Sequence, residues 1–213
     1  MDFQTTIDDA VTYLAADGFV GYPTETVWGL GACADRPRAI ERLMKWKRRS
    51  TDAPLAVLVP SAAVALDMGC LIEPRVQRLM EAFWPGPLTI VVPCRRQFAK
   101  GVARSDGALG LRCSPHPLAQ ALALAVFEAG LGPLTSTSLN RAGESPAADR
   151  AAAMAMIDVD PDDGLGGPLL VSASDHDAGG SAASSVVDCT GPLPSIIRVG
   201  AIERESLEKF WIH

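Results

Sequence analysis

Apolar residues recur at three- to four-residue spacing from Thr6 to Ala16, the period of one helix face. Thr5 or Thr6 can cap that helix, Asp8 and Asp9 sit in its first turn, and Gly18 ends it. The period then shortens, and Phe19 to Tyr22 reads as a buried strand. The stretch from 22 to 32 mixes turn formers with hydroxyls and leads into a helix opening near Pro37, a residue suited to a first helical turn. Leu55 to Val59, Leu88 to Val92, Leu109 to Cys113, Leu134 to Ser138, Leu169 to Ser172, Ser185 to Cys189 and Ile196 to Val199 have the composition of strands. Helical spacing returns at about 61 to 68, 74 to 84, Pro117 to Ala129, 149 to 157 and 203 to 211. Strands alternating with helices predict an α/β fold, a twisted mixed sheet with flanking helices. The Gly-, Ser-, Ala- and Asp-rich segments 139 to 148 and 173 to 184 read as loops or lids over that sheet. No internal repeat or composition break divides the chain, so residues 1–213 are read as a single domain.

Composition narrows the class. With 48% hydrophobic and 21% charged residues, the 213-residue chain matches an ordinary globular protein rather than a disordered or fibrous one. The mean hydropathy is positive, +0.16, yet no apolar run reaches the ~20 residues of a spanning helix. The first residues carry acid where a secretory signal needs base, which points to the cytoplasm. Five scattered cysteines without a C-x-x-C pair fit neither a disulfide framework nor a zinc site, and three histidines make a histidine-rich metal site improbable. The expected state is reduced thiols, with any metal arriving on a substrate. A net charge of −6 argues against a general nucleic-acid binder. Seven bases nevertheless fall between 36 and 49, and Arg95, Arg96, Lys100 and Arg104 form a second cluster. Locally basic surface in an acidic protein suits a small anionic substrate.

Three constellations can carry chemistry. In Pro23-Thr24-Glu25-Thr26, an extended backbone would turn both threonine hydroxyls the same way, and Gly29 and Gly31 would allow a close backbone approach; the alternative is a capped turn. Lys47-Arg48-Arg49 closes the basic helix. If the helix has ended there, a lysine point charge and an arginine fork share a side, as a polyphosphate requires, although helix ends attract bases anyway. Ser136, Ser138 and Asn140 alternate at a strand end, where open α/β sheets bind ligands, and the same residues also suit a turn. No Rossmann or P-loop glycine pattern is present, nor any Ser-His-Asp or Cys-His arrangement.

The order of the motifs is more specific than any one of them. Pro-Thr-Glu-Thr-Val-Trp-Gly-Leu-Gly, Lys47-x-Arg49, Trp-Pro-Gly-Pro-Leu-Thr, Gly-Leu-Arg-x-x-x-His-Pro-Leu, Ser138-x-Asn140, Ser-Ser-Val-Val-Asp and Arg198-Val-Gly-Ala-Ile follow one another from about Val20 to Ile202. This sequence closely resembles the YrdC/TsaC family of threonylcarbamoyl-AMP synthases, in the short form without an extra C-terminal domain. The resemblance implies a YrdC-like fold with a concave ligand groove. It also implies a nucleotidyltransferase reaction in which ATP, L-threonine and bicarbonate or CO2 give L-threonylcarbamoyladenylate and pyrophosphate. Mg2+ would come with ATP, with no metal bound by the protein itself. The product would pass to the tRNA threonylcarbamoyl transferase machinery that modifies adenosine 37 of tRNAs reading ANN codons, with weak RNA contact as a further expectation and no membrane partner.

Carried onto this chain, the resemblance gives Lys47 and Arg49 as the catalytic pair that stabilises the phosphates. Ser138, Asn140 and Arg198 join them in binding ATP, and Thr26, Arg112, Ser136 and Ser184 bind threonine, Arg112 taking its carboxylate unless it forms a structural salt bridge. The chain departs from the family pattern at Trp28 (often Tyr), Ala53 (often Asn), Leu58 (His in some members) and Ser185 (usually Thr). Two alternatives stay open: a paralogue acting on another carbamoyl or acyl substrate, and an RNA-binding ribosome-maturation module.

Overall fold

The computed structural model describes residues 3–157, 166–172, 180 and 182–211. Most of the 173 to 184 loop predicted from composition therefore lies outside the described residues. In chain order the elements are α1 (Phe3–Ala15), β1 (Phe19–Tyr22), β2 (Gly29–Ala32), α2 (Pro37–Lys47), β3 (Ala56–Leu58), α3 (Ala62–Asp67), α4 (Pro74–Phe83), β4 (Leu88–Pro93) and β5 (Ala108–Arg112). They continue with α5 (Pro117–Glu128), β6 (Leu134–Ser138), α6 (Arg150–Ile157), β7 (Leu169–Leu170), β8 (Ser185–Asp188), β9 (Ser195–Arg198) and α7 (Arg204–Glu208). The sequence pattern anticipated nearly all of them. It missed β2, because Gly-Leu-Gly-Ala has the composition of a turn. Gly31 is required there by its partner strand: a Cβ would lie 2.4 Å from the Thr135 carbonyl oxygen. A Cβ on Gly29 would lie 2.7 Å from the Tyr22 ring. The close approaches these glycines permit are thus made to the protein itself. α1 begins earlier than expected, which places Thr5 and Thr6 inside its first turns instead of at a cap.

The strands form one sheet in the order β7-β1-β2-β6-β3-β5-β4-β8-β9. β1 with β7, β3 with β5, and β4 with β8 pair in parallel, and the other neighbours are antiparallel. Strand alternation divides the burial between two clusters. Phe19, Leu30, Val57, Leu88, Ile90, Leu109, Leu111 and Val187 enter the larger cluster with Ile40 and Leu43 of α2, Ala65 of α3, Leu79 of α4 and Leu207 of α7. Val20, Tyr22, Leu58 and Leu134 enter a smaller one with Ile7 and Leu14 of α1 and Leu118 and Leu122 of α5. The second cluster covers only part of its side of the sheet, so the strand residues that alternate with the larger core are left over a cavity.

Candidate functional site

The uncovered face is polar because the residues opposite the core positions are polar or small. Ala56 of β3, Thr89 and Val91 of β4, Gly110 and Arg112 of β5, Ser136 and Ser138 of β6 and Val186 of β8 line a cavity of about 450 Å³, a size usual for small-molecule sites. Thr24 and Thr26 enter from the β1–β2 connection, Arg49 from just past α2, Arg104 from the β4–β5 loop, and Ser184 and Arg198 from the start of β8 and the end of β9.

Four arginines, and among the described residues no carboxylate, line this space. Two of the four have carboxylate partners behind the wall. Arg104 pairs with Asp106 and Asp188, each at 2.7 Å. Arg112, only 6% exposed, donates one Nη2–H to Glu25 at 2.5 Å and another to Thr26 Oγ1 at 3.1 Å. Ser114 donates to the second oxygen of Glu25, and Arg112 Nε is buried without a partner. The other two arginines are held by neutral acceptors. Arg49 donates to the Ala53 and Pro54 carbonyls at 3.1 Å each, and Arg198 to the Ser184 carbonyl at 2.9 Å and hydroxyl at 3.1 Å. Burial, then repulsion from Arg112 and Arg49, holds the Arg198 guanidinium below its ordinary range. Those guanidiniums therefore share one electrostatic neighbourhood, and an entering anion relieves their repulsion.

The residues singled out in the sequence separate into those that face the cavity and those that support it. Thr26, Arg49, Arg112, Ser136, Ser138, Ser184 and Arg198 all line it. The Thr24 and Thr26 hydroxyls do converge, at 2.9 Å, but through a turn in which Thr24 Oγ1 also donates to the Val27 carbonyl, so the extended backbone is not needed. Lys47 and Asn140 do not line the cavity. The left-handed C-cap at Arg48 (φ 53°, ψ 42°) turns the chain so that Arg49 reaches the cavity, while Lys47, 3% exposed, goes beneath it. There Nζ donates to the Ser138 carbonyl at 2.5 Å, the Asn140 carbonyl at 3.0 Å and Asn140 Oδ1 at 2.8 Å. Asn140 is equally committed: Oδ1 also accepts from Ser138 Oγ at 2.6 Å, and Nδ2 donates to the Arg141 and Glu144 carbonyls. The predicted triplet on one strand face is thus a pair of cavity-facing serines followed by an asparagine that folds the next turn.

Of the departures from the family pattern, Trp28 and Ala53 line the cavity. Leu58 is buried in the smaller core cluster, and Ser185 anchors backbone. Sequence reasoning missed Thr89, which meets Ser184 Oγ at 3.0 Å, as well as Arg104 and the buried role of Glu25. Glu25 lay within a quoted motif. Thr89 likewise ended a quoted motif and Arg104 stood in a basic cluster, but Ser184, which Thr89 meets, and Asp188, which Arg104 meets, are 95 and 84 residues away in sequence, so no local pattern shows those contacts.

A family model described as telomere recombination, covering Sua5, YciO and YrdC proteins, matches residues 12–200. The Xanthomonas oryzae protein named threonylcarbamoyl-AMP synthase is 39% identical over 150 residues, 69% of this chain and 78% of that one. A Bacillus subtilis protein of the same name is 30% identical over 203 residues, 95% of this chain but 55% of its own length. The P. abyssi Sua5 structure complexed with L-threonine superposes with a TM-score of 0.79 at 25% identity, covering 96% of this chain and 56% of that one. The chain thus spans little more than half of the longer relatives, and the shared half contains the whole cavity. Its sheet order, its arginine- and hydroxyl-lined cavity and a match running through all of the site residues place this chain in the Sua5/YciO/YrdC family.

Proposed function

We propose that this chain is an L-threonylcarbamoyladenylate synthase, forming threonylcarbamoyl-AMP and pyrophosphate from ATP, L-threonine and bicarbonate or CO2. The observation that carries the reading is the cavity, where guanidiniums without carboxylates in the wall sit over a floor of hydroxyls. The guanidiniums suit phosphate and carboxylate oxygens, and the hydroxyls suit an amino acid that itself carries a hydroxyl. Threonine's amine captures CO2 as a carbamate. A carbamate oxygen then attacks the α-phosphorus of ATP, and the bond to pyrophosphate breaks. No side-chain nucleophile is needed, and the protein's part is to position the reactants and to stabilise charge.

Arg49 and Arg198, unpaired with carboxylates among the described residues, take the phosphates and the AMP portion. Ser138 hydrogen-bonds the nucleotide. Lys47 and Asn140 act through Ser138, holding it in place rather than reaching the phosphates. Arg112 receives the threonine carboxylate, with its orphaned Nε as the free donor and Glu25 fixing the fork. Thr26, Ser136 and Ser184 read the amine and hydroxyl. Among the described residues the cavity wall offers guanidiniums and hydroxyls, a donor set suited to phosphate oxygens, and we infer that Mg2+ enters on ATP. Among the described residues no helix is long and apolar enough to cross a membrane. A cytoplasmic enzyme that hands its adenylate to the tRNA-modifying transferase is the setting we infer.

The test is adenylate formation with a series of amino acids under the same ATP and bicarbonate. A pocket that hydrogen-bonds the substrate hydroxyl discriminates strongly against an analogue lacking it. Threonine should be the best substrate, serine intermediate and 2-aminobutyrate poor; equal rates for threonine and 2-aminobutyrate contradict the assignment.

A further inference from the structure

Two of the five cysteines, neither of which lines the cavity, meet each other. Cys70 lies in the connection between α3 and α4, Cys94 just past the end of β4, and their sulfurs are 3.1 Å apart as free thiols. The backbone explains the meeting. Cys70 and Cys94 form an isolated antiparallel bridge, flanked by hydrogen bonds from Leu71 N–H to the Pro93 carbonyl at 2.8 Å and from Arg95 N–H to the Gly69 carbonyl at 3.1 Å. That makes them a non-hydrogen-bonded pair, the antiparallel position where Cα atoms approach to about 4.5 Å and side chains are nearest. The spacing lies within the Cα range a disulfide spans, so closing the bond needs little backbone movement.

We propose that Cys70 and Cys94 are a reversible dithiol–disulfide site, reduced at rest and oxidised by exchange with a low-molecular-weight disulfide such as oxidised glutathione. Cys94 is partly exposed, whereas Cys70 is only 4% exposed. Burial pushes the Cys70 thiol up. Cys94 therefore reacts first. Its sulfur attacks the external disulfide, that S–S bond breaks, and one small thiol leaves with the proton. Cys70 then attacks the Cys94 sulfur of the mixed disulfide, releasing the second small thiol. Two protein thiols lose two electrons and two protons, and one external disulfide becomes two thiols.

The crosslink ties the α3–α4 connection to the root of the 94–107 loop. It restrains the unfolded chain over about 25 residues. The β4 residues that face the cavity, Thr89 and Val91, lie before the bridge, while Arg104, which also lines it, stands in the loop whose root the crosslink holds.

The experiment uses the intact chain, reduced with dithiothreitol or equilibrated with oxidised glutathione. Free thiols counted by alkylation should fall from five to three, and peptide mass spectrometry should find Cys70 and Cys94 joined with the loss of two hydrogens. The melting temperature should rise by roughly 5–10 °C on oxidation, and Cys94→Ser should abolish the rise. Persistence of all five thiols, glutathione retained on Cys94 without crosslinking, or the same rise in Cys94→Ser would each overturn the proposal. The thiol count and peptide map need only the wild-type chain, so they decide the matter even if the variant fails to fold.

Discussion

Arg112 is placed so that one side chain can serve both the fold and the proposed ligand. Its fork is fixed by Glu25 and Thr26, and its Nε remains buried and unpaired. The salt bridge and the substrate contact, weighed as alternatives from sequence, are compatible in this geometry. Arg112→Ala removes a charge-assisted contact, so KM for threonine should rise roughly ten- to a hundredfold. It should also destabilise the chain, because Glu25 is left behind the cavity wall without its cation. Glu25→Gln keeps the shape and should raise KM less. Steady-state kinetics together with urea midpoints separate the two effects, and an unchanged KM in Arg112→Ala removes it from the threonine site.

Lys47 gives a pH signature. Burial, then the charge of Arg49, pushes its ammonium from the ordinary 10.5 down to about 8. Below pH 8 both folded and unfolded chains hold the proton, and the full cost of the buried charge is present. Between pH 8 and 10.5 the folded chain releases the proton before the unfolded chain does, so the unfolded chain binds more protons and this group's contribution to stability rises with pH. The whole window is worth at most about 3 kcal/mol. Urea midpoints of wild type minus Lys47→Met should therefore rise between pH 8 and 10; a flat difference would show that its three acceptors keep the ammonium charged.

At the scale of elements, Ser185 is the clearest case of a motif residue with a structural task. Fully buried, it donates to the Ile202 carbonyl at 2.7 Å and accepts from Gly200 and Ile202 N–H at 2.9 and 3.0 Å. These bonds fasten the chain after β9 to the start of β8, and so set where Arg198 stands. Ser185→Ala should cost about 2–4 kcal/mol by leaving backbone groups unpaired, and should weaken ATP binding more than threonine binding. A urea midpoint within error of wild type would refute this.

The same region shows what could be read from sequence. Strand and helix existence was legible because periodicity reports which side of each element is buried. The boundary of α2 was legible too, because Ser50 to Pro54 cannot continue a helix, but that ending was expected to put Lys47 and Arg49 on one side, and the left-handed turn at Arg48 separates them instead. The inward tasks of Lys47 and Asn140 were not, because a residue type that binds phosphate equally well binds carbonyl oxygens, and only the packing of α2 against β6 decides between them. β2 was hidden for a related reason: its glycines answer to Tyr22 and Thr135 rather than to local preference.

For the whole molecule, charge placement matters more than net charge. Much of the basic sequence is spent on internal ties: Arg36 on Asp17, Arg96 on Asp35, Arg42 on the Asp17 carbonyl, Arg104 on Asp106 and Asp188. In the dense run from 36 to 49, Arg36, Arg42 and Lys47 tie α2 to its neighbours, while Arg38, Lys45 and Arg48 stay exposed. Four guanidiniums line the cavity, where in the proposed reaction they would act without reorganising as charge shifts onto pyrophosphate. The most direct measurement is incubation of the protein with ATP, L-threonine, bicarbonate and Mg2+, with mass detection of the products. Threonylcarbamoyl-AMP and pyrophosphate should appear in equal amounts and only when all three substrates are present; release of ADP, or of AMP without the threonylcarbamoyl group, would contradict the proposed reaction.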